Sequence, residues 1–257
     1  MRKISSIDNR GRILFVDDKG TGTTTGSKAD CEAYGYDFKN NVCKIPTSKQ
    51  QLNQTNNFTY GRNNKVSGVN NSTLGYSNII NGSNSISIGN NNITDVYADN
   101  SIALGKNVYT EHIGELSYSA SKTPNRAKFS ILQYDGVTTN NTATELFLGG
   151  NNGARFYVNE SCESAYYIET KCVVLDGTNN NAKFMTHLLL YKYANSTLTE
   201  ITETPFVNTG DSSLNAVSIA FAPISSTPDY IEVKVTGLTS TRLEYNLILQ
   251  ITEVKNV

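Results

Sequence analysis

Between residues 56 and 114 the apolar and polar positions recur in a short fixed pattern. An apolar-glycine step stands at Tyr60-Gly61, Leu74-Gly75, Ile88-Gly89 and Leu104-Gly105, with the glycines 14, 14 and 16 residues apart. Three places before each glycine is Phe58, Ser72, Ile86 or Ile102, and five places before it Asn56, Asn70, Asn84 or Asn100. Asn64, Asn78 and Asn92 follow the first three glycines by three places. Side chains alternate along a strand, so Ile86-Ser-Ile88 and Ile102-Ala-Leu104 predict short strands with their apolar residues on one face. Glycine permits a backbone bend closed to other residues, and asparagine tolerates left-handed conformations or bonds to local backbone. Val66, Ile80 and Ile93 then start a return strand. A unit this small buries little alone, so the units are expected to stack as coils of a solenoid. So thin a column favours lateral association of several chains. The 16-residue interval reads as the same unit with a two-residue insertion.

After Glu115 the repeat stops, and Lys122-Thr-Pro-Asn-Arg126 reads as a linker. Strand-like runs follow at 129–134, 144–148, 155–158, 165–175, 182–193, 217–221, 230–235 and 242–254. Turn signals stand at Asp135-Gly136, Gly149 to Gly153, Asp176 to Asn181 and Gly210 to Ser213. Eight strands at this spacing predict a β-sandwich, jelly-roll-like in character.

Ahead of the repeats, residues 1 to about 30 read as an extended tail. One short strand is expected within Arg10 to Asp18, followed by a flexible linker from Lys19 to Gly26, and such a tail cannot bury a core alone. The segment Cys31 to Cys43 carries Asp37 to Val42, which predicts two short strands around an Asn-Asn turn. Two local cysteine pairs, Cys31 with Cys43 and Cys162 with Cys172, lack the close spacing of zinc or redox motifs. Each pair could close a disulfide or remain as packed thiols.

Composition narrows the classes further. Asn, Thr, Ser and Gly are abundant, Trp is absent, and helix formers never cluster periodically, which is the palette of a turn-rich β protein. With 22 basic and 23 acidic residues and no run of either sign, no field for nucleic acid or an anionic membrane is built in. The basic start is followed only by the short apolar run Ile13 to Val16, so neither a signal peptide nor a membrane span is expected.

Candidate chemistry is sparse. His112 and His187 are read as structural. Asp135, Glu145, Glu160, Glu163 and Glu169 are weighed as a glycosidase pair and set aside. Asp17, Asp18 and Asp95 lack the alternating acids of a calcium loop, and no cofactor or metal is expected. Sequons at Asn57, Asn71 and Asn195 follow from composition. Tyr157, Tyr166, Tyr167, Tyr191, Tyr193, Tyr230 and Tyr245 offer candidate rings for a wet binding face.

The units Asn84-Ser-Ile-Ser-Ile-Gly89 and Asn100-Ser-Ile-Ala-Leu-Gly105, with the looser Asn70-Asn-Ser-Thr-Leu-Gly75 and Asn56-Asn-Phe-Thr-Tyr-Gly61, resemble the head repeat of trimeric autotransporter adhesins. That repeat builds a trimeric left-handed β-roll, and similar repeats occur in bacteriophage fibres. The order of Tyr166 to Val174, Ile231 to Gly237 and Leu247 to Val254 resembles the terminal head of phage fibres, with Tyr245 where that pattern has Trp. The resemblance implies an all-β homotrimer in three parts: an attachment segment and cysteine clip at 1–50, a β-roll shaft at 51–115 and a β-sandwich head at 120–257. It further implies a non-enzymatic virion fibre of tail or capsid, assembled in the host cytoplasm. Its partners would be other virion proteins and a carbohydrate or protein of the host surface. A bacterial surface adhesin and a polysaccharide-degrading spike are the alternatives.

Overall fold

The computed structural model describes residues 2–7, 12–17, 20, 22–34, 36–44, 51–52, 56–124, 126–151, 153–158 and 160–256. It is nearly all β, with a solenoid of about four turns in the middle of the chain.

Five rung strands, Phe58–Arg62, Ser72–Tyr76, Ile86–Asn90, Ile102–Lys106 and Leu116–Ala120, pair in parallel. Four two-residue return strands, Lys65–Val66, Ile79–Ile80, Ile93–Thr94 and Tyr109–Thr110, stack in parallel beside them. The repeat glycines sit at φ 114°, 125°, 133° and 107°. A Cβ on Gly89 would lie 1.8 Å from the carbonyl oxygen of Gly105, so coil stacking as well as the bend demands glycine. Asn56, Asn70, Asn84 and Asn100 all take the left-handed conformation, with φ from 54° to 58°.

Two asparagine ladders tie one coil to the next. Asn64 donates to the carbonyls of Tyr60 and Gly75 and accepts the Asn78 N–H at 2.9 Å; Asn78 repeats the arrangement one coil on, and Asn92 donates to the Ile88 carbonyl and accepts the Val108 N–H. The second ladder was absent from the sequence reading. Buried Asn71 donates to the Gly82 carbonyl and accepts the Ser85 N–H, both at 2.8 Å, and Ser101 N–H reaches Ser85 in turn. These bonds satisfy backbone groups at the corners that no strand ladder reaches.

The inside of the coils is largely polar, with Ile80 and Ala103 buried among the polar side chains. Thr73, Ser87 and Ser117 point inward and are buried, whereas Ile86 and Ile88 on the same strands point outward and are 38% and 41% exposed. A coil of about 14 residues brings opposite walls so close that mostly small side chains fit between them, with Ile80 the large one buried there. Ile93 opens a return strand as expected, one place earlier in the register than Ile80: it lies in the outward file with Ile79, and Thr94 takes the inward place beside Ile80.

At Leu116–Ala120 the sheet changes character without breaking. Strand Ala127–Thr138 pairs antiparallel with that last rung and, on its other edge, with Leu243–Lys255. Ser164–Asp176, Asn181–Ala194 and Thr197–Gly210 complete the sheet in that order. A smaller sheet of Ala143–Glu145, Phe156–Tyr157, Ser218–Ile224 and Tyr230–Thr236 shares one apolar core with it, including Tyr134, Ile168, Leu189, Val233 and Leu249. The edge strand Thr197–Gly210 was missed because its residues are almost all exposed, so no buried alternation marks it. Asp135-Gly136 is no turn: both residues lie inside the strand Ala127–Thr138, Gly136 opposite Tyr245.

The files of outward side chains run on across this junction. Registered partners share a face, so Tyr60, Leu74, Ile88, Leu104, Tyr118 and Phe129 form a single file from the first coil into the antiparallel sheet.

The described residues among the first 44 form a fold of their own, which corrects the expectation of an extended tail. Ile4–Ile7, Ile13–Val16 and Thr23–Thr25 form an antiparallel sheet, so the expected linker is partly strand. A capped helix, Lys28–Ala33, and a hairpin, Asp37–Lys39 with Val42–Lys44, follow; Asn40 and Asn41 make its turn at φ 52° and 60°. A Cys31–Cys43 disulfide joins helix to hairpin under Ile13 and Phe15, closing a core too small to hold by apolar area alone. Asp18 and residues 45–50 lie outside the described residues.

Cys162 and Cys172 are free thiols. Cys172 faces the core from within Ser164–Asp176 and Cys162 lies just before that strand, so an extended chain at about 3.3 Å per residue holds them apart. Burial pushes the Cys172 thiol up to about 12.

Candidate functional site

The two-residue insertion identifies the one irregular corner of the repeats. Asn81 and Asp95 follow the paired return strands at the same place, and Ser83 and Asp99 occupy equivalent places further on, Ser83 N–H donating to Asp99 at 2.6 Å. One residue separates the first pair of positions in the regular coil and three in the enlarged one, so the corner carries two extra residues among Val96, Tyr97 and Ala98. Ala98 is buried against Gly82, while Val96 and Tyr97 project, Tyr97 being 80% exposed.

Beside this corner is a groove of about 630 Å³ between the last coils and the loop before Phe156–Tyr157. Asp95, Tyr97, Tyr109 and Glu111 come from the coils. The Tyr109 hydroxyl donates to Asp95, which also accepts the Tyr97 N–H at 3.2 Å. Burial and the Asp95 carboxylate both raise the Tyr109 hydroxyl well above its ordinary range, so it stays a donor. Across the groove Arg155 is gripped by Glu145 through two hydrogen bonds of 2.6 and 2.9 Å and lies 4.7 Å over the Tyr230 ring. Tyr157 meets Tyr230 edge-on at 5.8 Å.

Under the groove is a buried charge network. Lys128 donates to Glu111 at 2.9 Å and to Glu115 at 3.1 Å and lies 3.6 Å from Glu253; Lys255 reaches Glu111 and Glu253. Glu115 also accepts from Ser117, Ser130 and the backbone N–H groups of Glu111 and His112. Burial works to raise both carboxyls, but Lys128 overcomes it, holding Glu111 at about 2 and Glu115 well below the ordinary range. Against the burial that disfavours its charge, the same carboxylates hold the Lys128 ammonium well above its ordinary range. His112 joins the network, with Nδ1 facing Glu115 at 3.2 Å and Nε2 facing the Tyr157 carbonyl at 3.0 Å.

The remaining sequence candidates are dispersed. Glu145 serves Arg155, Glu160 accepts the Asp229 N–H, Glu169 accepts from Tyr167, and Asp135 stands against Gly150; Glu163 contributes its backbone carbonyl to Asn256. Tyr166, Tyr191, Tyr193 and Tyr245 are core, and Tyr167 is exposed on the outer face of the large sheet. Of the seven tyrosines read as candidates Tyr157 lines the groove and Tyr230 packs against Tyr157 and Arg155; Tyr97 and Tyr109, which also line it, were not among them. His187 pairs with Glu203 at 2.8 Å on the large sheet. Asn57 and Asn71 are consumed by the ladders, and Asn195 lies in a turn. Among the described residues no group of three or more His, Cys, Asp or Glu is placed to hold a metal ion.

No protein-family model and no curated protein matches the chain. Similar solved structures include the tailspike protein gp49 from Acinetobacter baumannii bacteriophage Fri1, a capsular polysaccharide depolymerase, at 11% identity and TM-score 0.34 over 76% of this chain and 38% of that one. The Acinetobacter baumannii phage AM24 tailspike protein is similar at 9% and 0.22, over 75% and 47% of the two chains. The Acinetobacter phage vB_ApiP_P1 tailspike protein is similar at 8% and 0.23, over 78% and 46%. The chain thus spans less than half the length of these structures. The expectation of a non-enzymatic chain is overturned here: the first of them is an enzyme, and the exclusion of enzymatic activity is withdrawn. At these identities and scores the likenesses assign the chain no activity.

Proposed function

We propose that the chain is a subunit of a homotrimeric fibre or spike on a bacteriophage particle. Residues 1–50 attach it to other virion proteins, 51–115 form the shaft, and 120–257 form a head that meets the host surface. The observation that carries this reading is the outward apolar face of the coils. Tyr60, Leu74, Ile86, Ile88 and Tyr118 lie in files on a surface that one chain leaves open to water. A single coil has no room to bury them, and copies of the same chain offer matching files in the same register, which closed symmetry brings together. The repeat resemblance to trimeric β-rolls of adhesins and phage fibres supplies the number three. Three heads on one shaft would raise weak single contacts to useful avidity.

The test is the solution mass of the purified chain by light scattering near neutral pH. A mass of three times 28.1 kDa is expected; a stable monomer removes the fibre reading.

A further inference from the structure

We infer that the groove beside Tyr97 is an oligosaccharide site for glycans without acidic groups. The inference deepens the host-surface part of the fibre reading and rests on it only for the biological setting.

Three independent observations converge there. First, the irregular corner of the repeat is the groove's rim: in stacked-coil proteins insertions into single repeats collect on a binding face, because the scaffold tolerates them only where they project. Val96 and Tyr97 pack on nothing that would explain them as core, since both are exposed. Second, the walls pair aromatic rings with hydrogen-bonding groups, Tyr97 and Tyr109 on the coil side and Tyr157 across from them, above an apolar floor that includes Leu148 and Val158. Flat rings with polar tips suit the C–H faces and hydroxyls of pyranose rings, and a groove of about 630 Å³ holds a short oligosaccharide. Third, the charge balance selects among glycans. The Arg155 guanidinium is already neutralised by the Glu145 carboxylate, to which it donates two hydrogen bonds, and Glu111 lies against Lys128 and Lys255. Asp95 is bonded to a tyrosine hydroxyl and a backbone N–H, neither of them a cation. The rim therefore carries a carboxylate that accepts from sugar hydroxyls or amino groups and repels uronic and sialic acids.

The test is titration calorimetry with neutral hexasaccharides of glucose, galactose and N-acetylglucosamine, against a hyaluronan hexasaccharide as the acidic probe. At least one neutral probe is expected to bind, the acidic probe at least tenfold more weakly. Tyr97→Ala, at an exposed position that leaves the fold alone, is expected to weaken the neutral probe about tenfold, equivalent to about 1.4 kcal/mol. Asp95→Asn is expected to narrow the gap between neutral and acidic probes. Phe206→Ala, exposed on the far edge strand, is expected to change nothing. Absence of binding by every neutral probe at 10 mM, equal affinity for the acidic probe, or indifference to Tyr97→Ala each overturns the inference. Light scattering on the same samples separates the two readings: a monomer with Tyr97-dependent binding removes the trimer and keeps the site, and a trimer without binding does the reverse.

Discussion

Along the rung Ile86–Asn90, Ser87 is buried and Ile86 and Ile88 face water; along Leu243–Lys255, Leu243, Leu247, Leu249 and Ile251 are buried and Glu244 and Asn246 face water. Both strands belong to one continuous sheet, and both alternate with period two. The difference lies in what stands behind each. Behind Leu243–Lys255 is a second sheet, and an apolar core fills the space between them. Behind a rung is the narrow inside of a coil, where asparagine and serine ladders bridge backbone to backbone. The two-sheet unit spends its apolar area on its own folding, and the coils leave theirs exposed, where covering it would be worth about 1.5–3 kcal/mol for each large side chain.

The sharpest way to break this comparison is to place the same charge on both strands. Leu249→Asp, at a position 1% exposed, is expected to cost more than about 4 kcal/mol and to abolish cooperative folding of the two-sheet unit in urea denaturation. Ile88→Asp, on the outward file, is expected to leave the secondary structure of one chain intact by circular dichroism and to lower the solution mass from three chains to one. A mass unchanged by Ile88→Asp would assign the apolar files no role in association.

Next in size is the network that joins the two regions. Lys128→Met removes the ammonium that Glu111, Glu115 and Glu253 share, leaving Lys255 to Glu111 and Glu253, and is expected to cost about 3–5 kcal/mol, read from the denaturation midpoint. The pH profile reads the same contacts. Glu111 and Glu115 have lowered carboxyl values, so their contribution is complete above the ordinary 4.5 and is lost as pH falls below it, for Glu111 towards about 2. Lys128 is raised, so its contribution is complete below the ordinary 10.5 and is lost above it. A stability plateau from about pH 5 to about pH 10 is expected, and Lys128→Met is expected to flatten its acid edge.

Glycines sharpen the comparison at smaller cost. Gly89→Ala places a Cβ on the backbone oxygen of the next coil at a positive φ and is expected to cost about 3 kcal/mol. Gly136→Ala meets only the far end of the Leu146 side chain, at 2.6 Å, and is expected to cost about 1 kcal/mol. Thermal melts of the two variants give the order directly. Smallest is Ser87→Ala. The Ser87 hydroxyl is buried with no hydrogen-bond partner among the described residues, and Ala103 occupies the same file one coil on. A gain of up to about 1 kcal/mol is expected; a loss of that size would show that the coil interior depends on its hydroxyls.

Much of this was legible in the residues. The glycine and asparagine columns marked the coil bends, the Asn40-Asn41 pair marked its hairpin turn, and the two-residue excess between Gly89 and Gly105 marked the enlarged corner. The second ladder went unread: Asn57, Asn71, Ser85 and Ser101 share one place in the unit, but the column changes from asparagine to serine halfway along it. The groove was not legible. Tyr97, Tyr109, Arg155 and Glu111 come from three separate stretches, and none of them stands in a local motif.

The sequence by itself determined the period, the strand alternation and the bends, because these depend on neighbours a few residues apart and on which residue types accept a positive φ. It could not say which face of each alternation is inside. That choice depends on the space behind the strand, set by the diameter of the coil in one region and by a second sheet in the other. Only the tertiary structure decided it, and with it where the apolar files, the buried charge network and the groove lie.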